Sequence, residues 1–340
     1  MIPQTMRIVI GVFCLSLWSC AWGATTMNNA TKESSIAASD RQVSWLDNTH
    51  VVFHGFTGGE GSPGHESPLT NRGTYVWDLD RGTVTREPRF DRASLICSRE
   101  PYLSYIEHTE DMKSSKRRAY EKGKEIALPE KFWFNPMNCR TYATQPPWML
   151  EGRAMVPLLE EHGYIDRGPK GQDQIKHFPL LYYHPGAAQP IPLGLGSQDI
   201  EVGTIKYAPF LDAYVLEGSL ARNSARPLWL LHPNGTVEQI FTPEGKTWAD
   251  LSWPWLELTQ RGPVFASLHP RGPHSADAGL YLWAGDVLMH VADGFFTMHA
   301  ISPDGCKLAA IKSRPERPLP TAELHRLQII DICNGGNDVH

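Results

Sequence analysis

The sequence predicts an all-β fold made of six consecutive four-stranded antiparallel units, and three observations carry that prediction. Short runs of β-branched and aromatic residues alternate with turn strings such as Asp80-Arg81-Gly82, Pro233-Asn234-Gly235 and Pro303-Asp304-Gly305, as expected of successive hairpins. No stretch holds a helical apolar period over about twelve residues with caps at its ends. The strand–turn grammar also recurs at roughly 40 to 50 residues, a spacing at which repeated supersecondary units are found.

The first unit reads Val43–Leu46, His50–Phe53, Gly73–Leu79 and Thr83–Arg86, and the second Ala93–Cys97, Tyr102–Glu107, Arg118–Glu121 and Glu125–Leu128. The third is the most irregular, with strands predicted at Cys139–Ala143, Ala154–Leu159, Phe178–Tyr183 and Ile191–Leu195. Ile205–Ala208, Ala213–Glu217, Pro227–Leu231 and Val237–Phe241 make the fourth; Trp255–Leu258, Val264–Leu268, Leu280–Trp283 and Val287–Val291 the fifth. Met298–Ile301, Lys307–Ile311 and Arg326–Cys333 give the sixth only three strands. A fourth is expected from the N-terminal side, at Ser35-Ile36-Ala37-Ala38, because an unpaired edge favours aggregation. A small sheet cannot bury both faces alone, and stacking such sheets radially solves this, so the units imply a six-bladed β-propeller of four-stranded antiparallel blades. Two unrelated β-sandwiches are the alternative, but they would not repeat one grammar six times.

The clearest copy of the repeat is Ile301-Ser302-Pro303-Asp304-Gly305-Cys306-Lys307-Leu308-Ala309-Ala310-Ile311. Proline presets φ at the first turn position, aspartate bonds its own backbone and glycine takes positive φ without strain. Ser302 to Ala309 resembles the signature of TolB-like and related propellers, a group with WD-repeat-like blades. That resemblance implies the propeller and exported status but names no ligand or reaction.

With 340 residues and 41% apolar composition, the chain can bury a large core. A net charge of −5, with Lys113 to Lys124 the only basic run, argues against nucleic acid as a partner. Arg7 followed by the apolar segment Ile8 to Trp18 has the layout of a secretory signal, and the segment is too short to span a bilayer. Leu17-Trp18-Ser19-Cys20 resembles a bacterial lipobox. That resemblance implies a signal peptide over residues 1–20 and acylation of Cys20; the polar Ser/Thr/Asn/Ala composition that follows reads as a tether over 21–40, and the repeated units place a propeller domain over 41–340. Ala21 after the cysteine implies the outer membrane. Cleavage after Gly23, giving a soluble secreted protein, is the competing reading.

Four cysteines remain beyond the signal, an even number without C-x-x-C spacing, which suggests two disulfides in an oxidising compartment. Cys306 with Cys333 is the first expected pair. Placing them opposite one another sets Ala309 against Ile330 and Ile311 against Gln328, with the turn at Pro315, Pro318 and Pro320. Cys97 with Cys139, in the predicted first strands of adjacent units, is the second.

Long connections, in which function concentrates, fall between second and third strands or between units. Alternating strand direction brings these to one face. The candidate binding-face residues in them are His65, Glu66, His108, His162, His177, His269, His274 and His325. Scattered loop histidines are more often solvated than metal-bound, so no metal site is assigned. His50 and His54 lie on one strand face and read as structural. Glu60, Glu66, Glu160, Glu161, Asp166 and Asp173 contain no pair that spacing singles out as a glycosidase acid pair. No nucleophile elbow and no cofactor motif occurs. The tryptophans at 133, 148, 248, 253 and 255 read as fillers between blades or as stacking groups. The expected function is therefore a binding scaffold for an envelope protein or carbohydrate, without catalytic residues or cofactor. The alternative is a propeller hydrolase or lyase acting on a glycan or lactone.

Overall fold

The computed structural model describes residues 25–26, 31–57, 72–146, 149–170, 180–195, 200–220, 227–241, 256–267, 278–284, 287–313 and 325–334. After β1 (Thr25–Thr26), β2 (Thr31–Trp45) leads into β3 (His50–Phe56), β4 (Arg72–Asp78) and β5 (Thr83–Arg86), the first sheet. The second contains β6 (Ala93–Arg99), β7 (Tyr102–His108), β8 (Ser115–Glu121) and β9 (Lys124–Glu125). A hairpin of β10 (Trp133–Asn135) and β11 (Arg140–Tyr142) precedes the third sheet, β12 (Arg153–Pro157), β13 (Tyr164–Pro169), β14 (Leu181–Tyr183) and β15 (Ile191–Pro192). The fourth is β16 (Ile200–Ala208), β17 (Ala213–Leu220), β18 (Leu228–Leu231) and β19 (Val237–Phe241). β20 (Leu256–Thr259), β21 (Gly262–Ser267), β22 (Gly279–Ala284) and β23 (Val287–Asp293) form the fifth, with β1 added parallel to β23. The last contains β24 (Phe295–Ile301), β25 (Lys307–Ser313) and β26 (Arg326–Asp331). Apart from β1, strands within each sheet pair in chain order and antiparallel, the topology of β-propeller blades.

Alternation along each strand sends successive side chains to opposite sheet faces, and here both faces are buried. In the fourth sheet Tyr214 and Leu216 pack on the third through Leu158, Ile165 and Tyr182, while Ala213 and Val215 pack on the fifth through Leu258 and Phe265. In the last sheet Leu308, Ala310 and Ile330 meet the fifth, and Ala309, Ile311, Leu327 and Ile329 meet the first. Phe90, Ile96 and Tyr105 join the first sheet to the second. Among the described residues no buried apolar cluster spans the second and third sheets. The Cys97–Cys139 disulfide crosses there instead, with Cα atoms 5.3 Å apart, beside Arg117, whose guanidinium lies 3.6 Å from the Phe134 ring centroid.

β2 supplies the missing fourth strand of the last sheet. It pairs with β26 at Thr31↔Ile330, Lys32↔Ile329, Glu33↔Gln328 and Ala37↔Arg326, then with β3 from Ala37↔Phe56 to Trp45↔Val51. A strand thus begins at Thr31, inside the stretch read as tether, and joins first and last sheets into one seven-stranded ladder. Trp45 locks the junction by donating its indole N–H to the Ala300 carbonyl at 2.9 Å.

Three expectations need correction. The predicted third-unit strand at Cys139–Ala143 belongs to the β10–β11 hairpin, and the first strand of that sheet is β12. Tyr164–Pro169, which falls in the connection expected between Ala154–Leu159 and Phe178–Tyr183, is a strand whose Asp166 is buried and paired with Arg153. Finally, β25 and β26 pair as Ala309↔Ile329 and Ala310↔Gln328, one residue from the expected register. The odd-numbered residues 309, 311, 327 and 329 must share the face toward the first sheet, and a one-residue slip would break that. Cys306 and Cys333 still bridge, with Cα atoms 5.1 Å apart, because they lie beyond the last ladder pair, Lys307↔Asp331.

The Ser302–Cys306 turn is built as its residues require. Gly305 sits at φ 72°, the Ser302 Oγ accepts from the Lys307 N–H at 2.8 Å, and the Asp304 carboxylate accepts from the Cys306 N–H at 3.1 Å. The turn also touches hairpins of three other sheets: the Asp304 N–H donates to Asn48, the Gly305 carbonyl accepts from Gln260, and Gly305 lies against the Phe210 ring. It is a keystone for the end of the ring where first and second strands join.

Candidate functional site: the channel pocket

At that hairpin end the first strands converge on a cavity of about 1120 Å³. Five sheets contribute a residue of their innermost strand: Trp45 from β2, Arg99 from β6, Tyr207 from β16, Glu257 from β20 and His299 from β24. Between the second and fourth sheets the wall is the Pro136–Cys139 turn of the small hairpin, fixed by its disulfide to Cys97.

Glu257 carries the most perturbed carboxylate in the wall. Its Oε1 lies 2.8 Å from Lys206 Nζ and 3.0 Å from His299 Nε2. Burial alone would raise this carboxyl, but Lys206 and His299 outweigh it and hold the group down at about 2. A depressed carboxylate stabilises the fold above its unfolded value of 4.5, and this contribution is lost as pH falls toward 2. The wild type should therefore lose on the order of 3 kcal/mol between those limits that a Glu257→Gln variant does not lose. Equal acid slopes in denaturant titrations of the two proteins would contradict the assignment.

Across the cavity, the Arg99 guanidinium lies 4.2 Å from the Tyr207 ring centroid, and its Nη1 donates to the Met137 carbonyl at 3.3 Å. The Tyr207 hydroxyl donates to Asp212; burial and that hydrogen bond push the phenol up to about 12. Asp47 is also engaged, accepting from the backbone N–H groups of Thr49 and His50 at 2.7 and 2.8 Å.

Of the histidines expected on the opposite face, His108 lies at the end of β7 with Nε2 2.7 Å from Ser94 Oγ. His325 is buried at the start of β26, its carbonyl accepting from the Ala38 N–H. His162 is on the other end, because β13 occupies much of the expected loop and leaves it in the β12–β13 turn. There its Nδ1 is 2.8 Å from the Tyr214 hydroxyl, whose phenol burial raises well above the ordinary value. His65, Glu66, His177, His269 and His274 lie outside the described residues, as does Cys20. His50 and His54 take structural partners, Asp47 and Thr74. Among the described residues no three His, Cys, Asp or Glu side chains are grouped to hold a metal ion, and no helix is long and apolar enough to cross a membrane.

The sequence did not single out Trp45, Arg99, Lys206, Tyr207, Glu257 or His299. A positional signal for them existed: all lie within three residues of the hairpin turn that ends an innermost strand.

No known protein family matches the chain, and no curated protein does. Solved structures similar to it include an oligogalacturonate lyase from Vibrio parahaemolyticus, at 10% identity over 92% of this chain and 98% of that one, TM-score 0.44. The β-propeller domain of the Trilobed protease from Pyrococcus furiosus is 10% identical over 86% of this chain and 94% of that one, TM-score 0.49. A gluconolactonase from Xanthomonas campestris is 10% identical over 91% of each chain, TM-score 0.40. Those activities belong to those proteins.

Proposed function

We propose that the chain is a six-bladed propeller of the cell envelope, exported and tied to the outer membrane through Cys20, that binds a ligand in the hairpin-end pocket. The observation that carries the binding reading is the state of the pocket carboxylates. Of the three carboxylates that line the pocket, Glu257 is held ionised by a lysine and a histidine, Asp47 is consumed in capping a turn, and Glu100 is exposed at the rim. Glycoside cleavage needs two carboxyl groups facing one bond, one of them able to hold a proton near neutrality. A carboxylate held as low as Glu257 is a poor proton donor. Aromatic and cationic side chains around a cavity of this size suit recognition of a small polar molecule.

The test is a thermal-shift screen of sugars and sugar acids on the full protein and on Ser44→Trp, which puts a bulky side chain into the pocket wall. A ligand should raise the melting temperature of the wild type and not of the variant. Product formation from a glycan or lactone would replace this reading with the hydrolase or lyase one, and a shift surviving Ser44→Trp would remove the pocket from it. The anchor is tested separately: fatty-acid labelling should disappear in Cys20→Ser, and labelling that persists would contradict it.

A further inference from the structure

We propose that Arg99 is the docking point for an anion in the channel pocket, so that the ligand is a small organic molecule bearing a carboxylate or a phosphate. This rests on the reading that the pocket is the binding site. Arg99 is half-buried in the wall, where an arginine is ordinarily matched by a carboxylate. Among the described residues no carboxylate pairs with it. The acidic neighbours are committed elsewhere: Glu257 to Lys206 and His299, Asp212 to the Tyr207 hydroxyl, Asp47 to the turn at Thr49 and His50. Glu100, adjacent at the rim, is exposed.

The guanidinium is nevertheless held in place. Its face lies against Tyr207 and one N–H is bonded to the Met137 carbonyl, which leaves further N–H groups of the planar fork for a ligand. The disulfide adds to this. Cys97 lies two residues before Arg99 and Cys139 two after Met137, so the bridge fixes the backbone on both sides of the contact. A cation stacked, oriented and left without a counter-ion in a concave wall is arranged as an anion-binding pocket requires, because two parallel N–H donors match the geometry of a carboxylate or phosphate. Tyr102, Tyr120 and Trp45 also line the cavity and offer apolar faces to the rest of the molecule.

Isothermal titration calorimetry on the full protein tests the proposal, with glucuronate, glucose 6-phosphate and inorganic phosphate as probes and glucose as the neutral control. At least one anion should bind, more weakly at high salt, and Arg99→Gln should reduce its affinity by about tenfold or more. Arg99→Lys, which keeps the charge and loses the fork, should fall between them and serves as the reading should Arg99→Gln fail to fold. Arg81→Gln, the same charge change on the outer hairpin, should have no effect. Preference for glucuronate or for glucose 6-phosphate tells carboxylate from phosphate. Binding of inorganic phosphate alone, failure of every anion to bind, or equal affinity of wild type and Arg99→Gln would overturn the proposal. Glucose binding that is insensitive to Arg99 but lost in Ser44→Trp would overturn the anion and leave the pocket standing.

Discussion

Deleting residues 31–38 should leave a chain that aggregates and unfolds at a much lower temperature than the intact protein. That segment pairs with β26 from Thr31 to Ala37 and buries Ser34, Ala37 and Ala38. Its loss would remove several ladder hydrogen bonds at roughly 1 kcal/mol each together with the apolar contacts of Ala37 and Ala38, on the order of 5 kcal/mol in all. That is a large share of the margin of a typical domain. The exposed edge of β26, carrying Leu327, Ile329 and Ile330, would then be free to pair with other molecules. Melting by circular dichroism with light scattering measures both effects, and an unchanged melt would mean the segment is only a tether.

The second large effect belongs to Cys97 and Cys139. Replacing both with alanine opens a loop of 42 residues, about 4 kcal/mol in the chain-entropy model. Removing Cys306–Cys333, separated by 27, should cost only slightly less in stability, about 3.5 kcal/mol. The two should differ in function. The Cys306–Cys333 bridge ends a ladder that buried apolar residues already hold on both faces. The other bridge crosses the boundary where no apolar cluster lies among the described residues, and it borders the pocket. The Cys97→Ala, Cys139→Ala protein should therefore lose ligand affinity at temperatures where it is still folded, whereas the Cys306→Ala, Cys333→Ala protein should keep it. Calorimetry on both below their melting points checks this; equal affinities would show that the Cys97–Cys139 bridge only adds stability.

Much of the strand order was legible because turn chemistry is local. Asp80-Arg81-Gly82, Pro233-Asn234-Gly235 and Pro303-Asp304-Gly305 mark hairpins whatever surrounds them, and strands β3 to β5 and β16 to β26 lie close to where their turns put them. Register was not legible at β25, since Leu308 to Ile311 is apolar on both faces and offers no alternation to align. The third sheet misled for a related reason: β14 and β15 have only three and two residues, and β13 reads as polar because the partner that neutralises its Asp166, Arg153, lies thirteen residues earlier on the neighbouring strand β12. The pocket was hidden by topology. Trp45, Arg99, Tyr207, Glu257 and His299 come one from each of five strands and meet only when the ring closes. The histidine-bearing connections stand out locally instead, and two of the three described histidines in them, His108 and His325, lie at the opposite end of the blades.

The pocket can be set directly against those connections by amide hydrogen exchange on the full protein, free and saturated with whichever probe gives the largest thermal shift. Binding in the channel predicts slower exchange at residues 43–48, 96–100, 206–209 and 299–303, with little change at 58–71 and 314–324. Protection confined to the latter two stretches would contradict the account and return the binding site to the opposite face.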